Sequence, residues 1–258
     1  MLAPRGSTDR AVALIGLVAL VVAAFAQTSL PARAGLLSTS SVPARAEQLV
    51  VVTGPVGNRA AGVEIGTLSG FARSAGSRRW DAVLGPWPVE VGAAGLLPAA
   101  RRREGDRATP TGMFGIGSRV YGNAPAPIGV RYPYRRLVCG DWWDEDPYSP
   151  RYNQFVHVGC GVTPGFASRS EALWTEAVAY PYFVSLSFNT DPVLRGRQAP
   201  GSGIFIHSWV GGPTNGCIAL RRAQLVALLR WLAPGARPVV EIRAGTAPTA
   251  PSRDRTTG

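Results

Sequence analysis

The chain contains no lysine, so arginine supplies all 27 of its basic side chains, against 16 acidic ones. The formal net charge is +11. The arginines are spread along the chain without a compact cluster, and no motif typical of RNA- or DNA-binding proteins accompanies them. We therefore interpret the charge as a general attraction to an anionic environment, and we expect no nucleic-acid partner.

Long hydrophobic runs are also scarce, because only residues 11–26 form one. Arg5 and Arg10 precede this run, and Ala32-Arg33-Ala34 after it offers a small-residue cleavage site. This order is typical of an export signal, so we predict a signal peptide over residues 1–34. The alternative is an uncleaved membrane anchor. Either interpretation places the rest of the chain outside the cytoplasm, in the periplasm or cell wall, with membrane contact only through this segment.

Cysteine is limited to Cys139, Cys160 and Cys217, and histidine to His157 and His207. An odd number of cysteines in an exported protein leaves one thiol over. Cys139 and Cys160 are able to close the aromatic loop between them as a disulfide, which leaves Cys217 free; three reduced, buried cysteines are the alternative. His157, Cys160, His207 and Cys217 are also plausible zinc ligands, but no recognised zinc signature is present, so we predict no metal site.

The spacing of hydrophobic residues predicts one mainly β domain over residues 48–243, after a linker over 35–47 and before a disordered tail over 244–258. Short apolar runs separated by glycine and proline predict strands, with a turn at Gly85–Pro88. Two flanking helices are predicted: one over residues 168–179, from a capping box at Ser168–Glu171, and one over residues 221–232, from leucines on one face.

The segment from Ile204 to Leu220 carries the most specific chemistry. An apolar run leads to His207, a Gly/Pro turn follows, and Asn215-Gly216-Cys217 comes next. A thiol is a good nucleophile only as the thiolate, and a nearby imidazole is able to take its proton. We predict Cys217 as nucleophile and His207 as general base, oriented by a backbone carbonyl such as that of Ser208. A helix beginning soon after Cys217 would further favour the thiolate.

These residues resemble the L,D-transpeptidase catalytic domain, also called the YkuD domain. In that family a histidine on a strand precedes a Ser/Thr-x-Gly-Cys motif, which Thr214-Asn215-Gly216-Cys217 matches. Upstream, residues 104–114 look like the family's Thr-Pro-x-Gly-x-Phe segment, and residues 141–153 are similar to an insertion of an exported bacterial branch. The resemblance covers residues 48–243, and three motifs in order are more specific than a single His–Cys pair.

The resemblance implies a fold and a reaction. The fold is a YkuD-like β-sandwich of mostly antiparallel strands. The reaction is acyl transfer on peptidoglycan stem peptides, in which Cys217 attacks the carbonyl before the terminal D-alanine and an amine resolves the thioester to give a cross-link. Thr214, Asn215 and Gly216 form the loop that carries the nucleophile, with backbone N–H groups of Gly216 and Cys217 facing the oxyanion. No cofactor is required, and we expect a monomer.

Further residues are candidates for contacts with the substrate. We assign Ser208, Trp142, Trp143, Tyr152 and His157 to this group. For the aromatic residues the alternative is packing around a Cys139–Cys160 bridge, and for His157 it is a structural role.

Two positions depart from the family pattern. Asn215 stands where many members have histidine, and Ala219 stands where many have an arginine. Either Arg221 or Arg222 replaces that arginine, or the substrate differs. Two alternative functions follow: an L,D-carboxypeptidase of the same fold, or a non-catalytic cell-wall-binding domain.

Overall fold

The computed structural model describes residues 42–55 and 65–245. The predicted signal peptide, the first part of the predicted linker and nearly all of the predicted tail lie outside the described residues. Residues 42–47, the described part of that linker, pack against the domain. Ala46 is buried, and the Arg73 guanidinium donates hydrogen bonds to three backbone carbonyls of this segment.

Thirteen β-strands and one α-helix make up the regular structure of the described residues, with single 3₁₀ turns in the loops. They are β1 (Gln48–Gly54), β2 (Ile65–Ala72), β3 (Asp81–Glu90), β4 (Leu96–Pro98), β5 (Thr109–Gly122), β6 (Tyr134–Arg136), β7 (Asp141–Asp144), β8 (Gln154–His157), β9 (Glu171–Ala172), β10 (Phe183–Leu186), β11 (Phe205–Ser208), β12 (Ile218–Leu220), α1 (Arg222–Trp231) and β13 (Val239–Ala244). No helix in this part of the chain has the length and apolarity of a membrane span.

The main sheet closes on itself. Its strands follow the order β10-β11-β12-β3-β2-β1-β13-β5, and β5 then pairs with β10. Closure depends on the length of β5, because its first half pairs with β13 and its second half with β10. The mainly β class and the mostly antiparallel pairing are confirmed. The predicted sandwich is wrong, since β10 has partners on both sides and the sheet forms a barrel-like ring.

The core fills this ring and continues under α1. Leu225, Leu228 and Leu229 of the helix are fully buried against apolar residues of the strands, among them Ile206 and Leu220. Burying each leucine contributes about 1.5–3 kcal/mol. The predicted helix over residues 221–232 is confirmed to within one residue at each end.

The other predicted helix, over residues 168–179, is wrong. Glu171 and Ala172 instead form β9 and pair with β7. The Ser170 hydroxyl, which lies within the predicted capping box, accepts a hydrogen bond from the Glu145 N–H at 2.9 Å. Glu171 in turn accepts a hydrogen bond from the Tyr180 hydroxyl. These tertiary hydrogen bonds therefore occupy the polar groups that would otherwise cap the start of a helix.

The turn predicted at Gly85–Pro88 is also absent, because β3 continues through these residues. The pairing of β3 with β2 shifts register close to this point, between Leu68 and Gly70. An irregular register tolerates proline in a strand, since a missing N–H then breaks no regular ladder bond.

A small second sheet, in the order β8-β7-β9, carries the only disulfide among the described residues. Cys139 lies just before β7 and Cys160 shortly after β8. Because these strands are antiparallel, with Asp141 opposite His157, the two cysteines meet at one end of the sheet, and their sulfur atoms are 2.07 Å apart. Cys217 is left as a free, buried thiol.

Candidate active site

Strands β11 and β12 place His207 and Cys217 on the same face of the sheet. The two strands are parallel, with Ile206 opposite Ile218 and His207 opposite Ala219. Cys217 immediately precedes β12, so its register partner is Phe205, two residues before His207. Because side chains two residues apart share a face, the thiol and the imidazole emerge together, with Cα atoms roughly 8 Å apart from standard strand spacings.

The His207 ring has a defined tautomer. Its Nδ1 atom lies 2.8 Å from the carbonyl oxygen of Ser208. A carbonyl only accepts hydrogen bonds, so Nδ1 carries the proton and Nε2 keeps a free lone pair. Burial lowers the pKa of His207 to about 4, although the nearby backbone carbonyls of Ser208 and Ala179 act in the opposite direction. The imidazole is therefore neutral at pH 7, the form that a general base requires.

The Cys217 thiol is protonated and held by backbone groups. It donates a hydrogen bond to the Gly203 carbonyl at 3.1 Å and accepts one from the Phe205 N–H at 3.3 Å. Burial raises the pKa of Cys217 well above its ordinary value. Helix α1 begins only at the far end of β12, and a helix dipole fades within one turn. The expectation that this dipole favours the thiolate is therefore wrong.

The loop before Cys217, the predicted nucleophile, is fixed by two threonines. Thr214 Oγ1 donates to the carbonyl oxygen of Cys217 at 2.7 Å and accepts from the Gly216 N–H at 3.1 Å. Thr109 Oγ1 reaches the same carbonyl at 3.4 Å. The Gly216 N–H is occupied in this way, whereas the resemblance implies that it faces an oxyanion. Gly216 has φ of 132°, and a Cβ there would lie 2.7 Å from the Ala108 carbonyl oxygen.

Asn215 is exposed and is held by an arginine from a distant part of the sequence. Arg107 Nε donates to Asn215 Oδ1 at 3.2 Å. This contact fixes which way the amide points, because its oxygen faces Arg107 and its nitrogen remains available as a donor. Arg107 belongs to the loop before β5, so the upstream motif and the nucleophile motif meet here.

A cleft of about 570 Å³ opens beside the thiol. We call it the thiol cleft. Besides Cys217 and His207, its walls contain Thr214 and Asn215 of the nucleophile loop, two arginines and three glutamates. The charged members are Arg102, Arg107, Glu104, Glu145 and Glu171.

The glutamates make one wall of the thiol cleft unusually acidic. Burial raises the pKa of Glu171 to about 7, although a hydrogen bond from Tyr180 opposes this. Burial and the neighbouring carboxylates Glu171 and Glu104 raise the pKa of Glu145 well above its usual range. The Tyr180 ring also stands edge-on to His207, with centroids 5.4 Å apart, so this wall extends to the imidazole.

Five residues predicted to bind substrate do not line the thiol cleft. Trp142 and Trp143 pack edge-on against aromatic neighbours, including Trp174 and Phe205 respectively. Tyr152 is fully buried, and its hydroxyl donates to Glu104, a residue of the cleft wall.

The other two of these residues have structural surroundings. His157 Nδ1 lies 2.6 Å from the buried carboxylate of Asp141, which also accepts a hydrogen bond from Arg135. The Ser208 side chain is buried, and it is the backbone carbonyl of this residue that contributes to the site. The zinc alternative is wrong, because the Cys160 sulfur is bonded to Cys139.

The sequence model of the YkuD family, described as the L,D-transpeptidase catalytic domain, matches residues 74–242. The chain belongs to this family. Searches of curated proteins and of solved structures returned no match.

The charged residues of the thiol cleft have no role predicted from the sequence. Arg107 and Glu104 lie in the upstream motif of residues 104–114, and Glu145 lies in the insertion of residues 141–153. Glu171 lies in the segment that was predicted to be a capping box. Arg102 lies just outside the upstream motif and carries no sequence signal. The expected replacements for the family arginine, Arg221 and Arg222, instead lie over the rings of Trp209 and Tyr182 and do not line the thiol cleft.

Proposed function

We propose that this YkuD domain is a cysteine-dependent L,D-transpeptidase of peptidoglycan stem peptides. The observation that carries the proposal is the shared face of Cys217 and His207 at one cleft, with the free lone pair of the imidazole defined by the Ser208 carbonyl. A nucleophile, a base and a group that orients the base are the minimum set for thiol acyl transfer.

In the first half-reaction the thiol attacks the carbonyl carbon that precedes the terminal D-alanine. The thiol is uncharged at rest, so its proton moves to His207 Nε2 as the S–C bond forms. The C–N bond then breaks, and His207 returns this proton to the departing amine of D-alanine. The products are free D-alanine and a thioester on Cys217.

The tetrahedral intermediate carries a negative oxygen that needs donors. Two groups of the nucleophile loop support this role: the Cys217 N–H and the side-chain nitrogen of Asn215, whose oxygen is turned toward Arg107. One oxyanion donor is typically worth about 10²–10³ in kcat.

In the second half-reaction an amine of a neighbouring stem attacks the thioester. The amine gives a proton to His207, the C–S bond breaks, and the departing sulfur takes that proton back. The new amide bond is the cross-link, and no metal or cofactor takes part. Water in place of the amine would give a carboxypeptidase.

We also propose that the protein works outside the cytoplasm. The Cys139–Cys160 disulfide supports this location, because disulfides persist in oxidising compartments. The stem peptides of the peptidoglycan layer are found there as well.

The test is a mass-spectrometric product assay on purified tetrapeptide muropeptides. The protein is compared with Cys217→Ala, His207→Gln and the control Cys139→Ser/Cys160→Ser, which lacks the disulfide but keeps Cys217 and His207. We expect free D-alanine and cross-linked dimers from the wild type and the control, and at least a roughly 10³-fold loss of both in the two site variants.

Each other outcome has a definite meaning. D-alanine without dimers would replace the transpeptidase by the carboxypeptidase. Equal product from the Cys217→Ala variant would remove the nucleophile. No product from the wild type, together with retained binding of muropeptides, would support the non-catalytic cell-wall-binding domain.

A further inference from the structure

Two cleft charges already have protein partners. The Glu104 carboxylate accepts hydrogen bonds from Tyr152, Ser202 and the Gly105 N–H. Arg107 bonds to Asn215. The other three charged residues, Arg102, Glu145 and Glu171, keep hydrogen-bonding capacity that no described residue uses.

Arg102 is a buried cation with an unused donor. The residue is only 2% exposed, yet it lines the thiol cleft. Its Nε bonds to Asp106 at 2.9 Å, and its guanidinium lies 5.5 Å from the ring centroid of Phe188. Within the described residues, Nη1 has no partner. Leaving a buried donor unpaired is unfavourable, and a fixed guanidinium matches a carboxylate.

The guanidinium is also held in place by the backbone around it. A Cβ added at Gly201 would lie 3.2 Å from Arg102 Nη2. Only glycine at this position therefore leaves the guanidinium the space that it occupies. Asp106, Phe188 and Gly201 together restrict Arg102 to one position before any ligand arrives, which is the preorganisation that a binding site needs.

Glu145 brings a carboxylate to the residue that holds the thiol. A Cβ on Gly203 would lie 2.2 Å from Glu145 Oε1, so the carboxylate packs directly against the Gly203 backbone. The carbonyl of Gly203 accepts the thiol hydrogen bond of Cys217. Among the described residues, no hydrogen bond reaches the Glu145 carboxylate. Glu171 has one partner, the Tyr180 hydroxyl at 2.7 Å.

This arrangement opposes the thiol chemistry of the free protein. Glu171 and Glu145 raise the pKa of Cys217, in addition to the larger effect of burial, whereas Arg102 lowers it. Buried glutamates with raised pKa values beside a nucleophilic thiol are explained if a cation from the substrate pairs with their charged form in the complex. An ammonium group is the cation that a stem peptide offers, and it would then also favour the thiolate.

We propose that Arg102, Glu145 and Glu171 form a zwitterion subsite, which binds an α-amino-acid group of the stem peptide. The carboxylate of that group pairs with Arg102, and its ammonium pairs with Glu145 and Glu171. The proposal therefore commits to a stem whose diamino acid carries an ammonium and a carboxylate on its distal carbon, whereas the terminal D-alanine of the donor carries only a carboxylate. This inference rests on the proposed function, and it adds the part of the donor that the enzyme recognises.

The experiment compares four donor tetrapeptides. One is unmodified, one has the side-chain carboxylate of the diamino acid as an amide, one has the side-chain amine acetylated, and one ends in D-alaninamide. The measurement is kcat/KM for release of the terminal residue, a step that precedes attack by any acceptor. We expect at least tenfold lower values for the amide and the acetylated donors, and less than threefold change for the D-alaninamide donor.

Variants assign each charge to its residue. Arg102→Gln should turn over the side-chain amide donor as well as the unmodified one, and should still turn over the acetylated donor poorly. Glu145→Gln should turn over the acetylated donor as well as the unmodified one, and should still turn over the amide donor poorly. Arg101→Gln and Glu176→Gln, at exposed positions outside the cleft, should discriminate as the wild type does. Equal turnover of all donors by the wild type would overturn the subsite. Selective loss of the D-alaninamide donor, relieved by Arg102→Gln, would also overturn it.

A binding measurement separates this inference from the proposed function. Cys217→Ala leaves all three subsite residues in place, so calorimetry with the same four peptides reports on recognition without turnover. We expect the unmodified peptide to bind at least tenfold more tightly than the amide and the acetylated forms. Equal affinities, or no binding of any peptide, would contradict the subsite even if D-alanine release is observed with the wild type.

Discussion

The imidazole of His207 and the thiol of Cys217 are both uncharged at neutral pH. Burial raises the pKa of the thiol and lowers that of the imidazole. The free protein therefore does not hold a preformed thiolate–imidazolium pair. In the proposed mechanism, activation of the thiol therefore belongs to the complex, where the substrate excludes water and supplies charge.

Histidine burial predicts a pH-dependent stability. The pKa of His207 is about 4 in the folded protein and 6.5 in the unfolded chain, so the unfolded chain binds more protons between these values. The neutral, buried imidazole of His207 contributes roughly 2–3 kcal/mol to the free energy of unfolding. This contribution is complete above pH 6.5 and is lost as the pH falls toward 4. Urea unfolding of the wild type and of His207→Gln, at about pH 7 and about pH 4.5, measures this difference.

Glu171 acts in the opposite direction, because burial raises its pKa to about 7. The contribution of Glu171 to the free energy of unfolding is largest below pH 4.5 and is lost as the pH rises through 7. The wild-type curve alone therefore mixes two effects. The difference between wild type and His207→Gln isolates the histidine, and a difference that does not change with pH would show that His207 is not buried in the neutral form.

Gly216 tests the geometry of the nucleophile loop. At φ of 132°, and with the Ala108 carbonyl 2.7 Å from an added Cβ, Gly216→Ala must displace the backbone next to Cys217. We expect at least a tenfold loss of kcat/KM and about 1–3 kcal/mol of stability. Gly212→Ala, in the same loop, meets no atom within 4 Å and should change neither. Equal effects of the two substitutions would refute the close contact.

Sequence alone was sufficient to select the pair of residues whose proposed chemistry is local. The predicted nucleophile and base, Cys217 and His207, come from one segment of 17 residues, and the carbonyl that accepts the His207 hydrogen bond belongs to its neighbour Ser208. Arg102 and Glu145 were not predictable in the same way. Their importance arises from sharing one cleft with a thiol that lies 72 to 115 residues away along the chain, and only the folded chain brings them together.

The prediction of a helix was correct where the helix depends mainly on its own sequence, and wrong where neighbouring elements decide the structure. Helix α1 follows from its own pattern, because its leucines repeat on one face and that face is buried. The helix expected at residues 168–179 has good local signals, yet β7 and Glu145 take the polar groups at its start. Local propensity is weak compared with tertiary hydrogen bonds and burial.

The small sheet is the element that the disulfide stabilises. Cys139 and Cys160 close a loop with a sequence separation of 21, which corresponds to about 3 kcal/mol in the chain-entropy estimate. The variant Cys139→Ser/Cys160→Ser should lose this amount in urea unfolding. Glu145 follows β7 directly, so charge discrimination among donors should weaken if the sheet loosens. Unchanged stability would mean that the bridge does not constrain the unfolded chain.

At the scale of the whole molecule, the barrel-like ring assembles one cleft from three distant segments. The loop before β5 brings Arg102 and Glu104, the small sheet brings Glu145 and Glu171, and β11 with β12 brings the reactive pair. Closure of the sheet was not predictable from the strand pattern, because it depends on β5 pairing with two different strands. The order of the motifs nevertheless indicated the family.

The most direct test of the central claim is the mass of the protein after brief exposure to a tetrapeptide donor and a rapid acid quench. The account predicts an acid-stable adduct whose mass equals that of the donor minus that of D-alanine, located on Cys217 by peptide mapping. The adduct should be absent in Cys217→Ala and reversed by hydroxylamine. D-alanine release without an adduct on Cys217, or with the adduct at another residue, would contradict it.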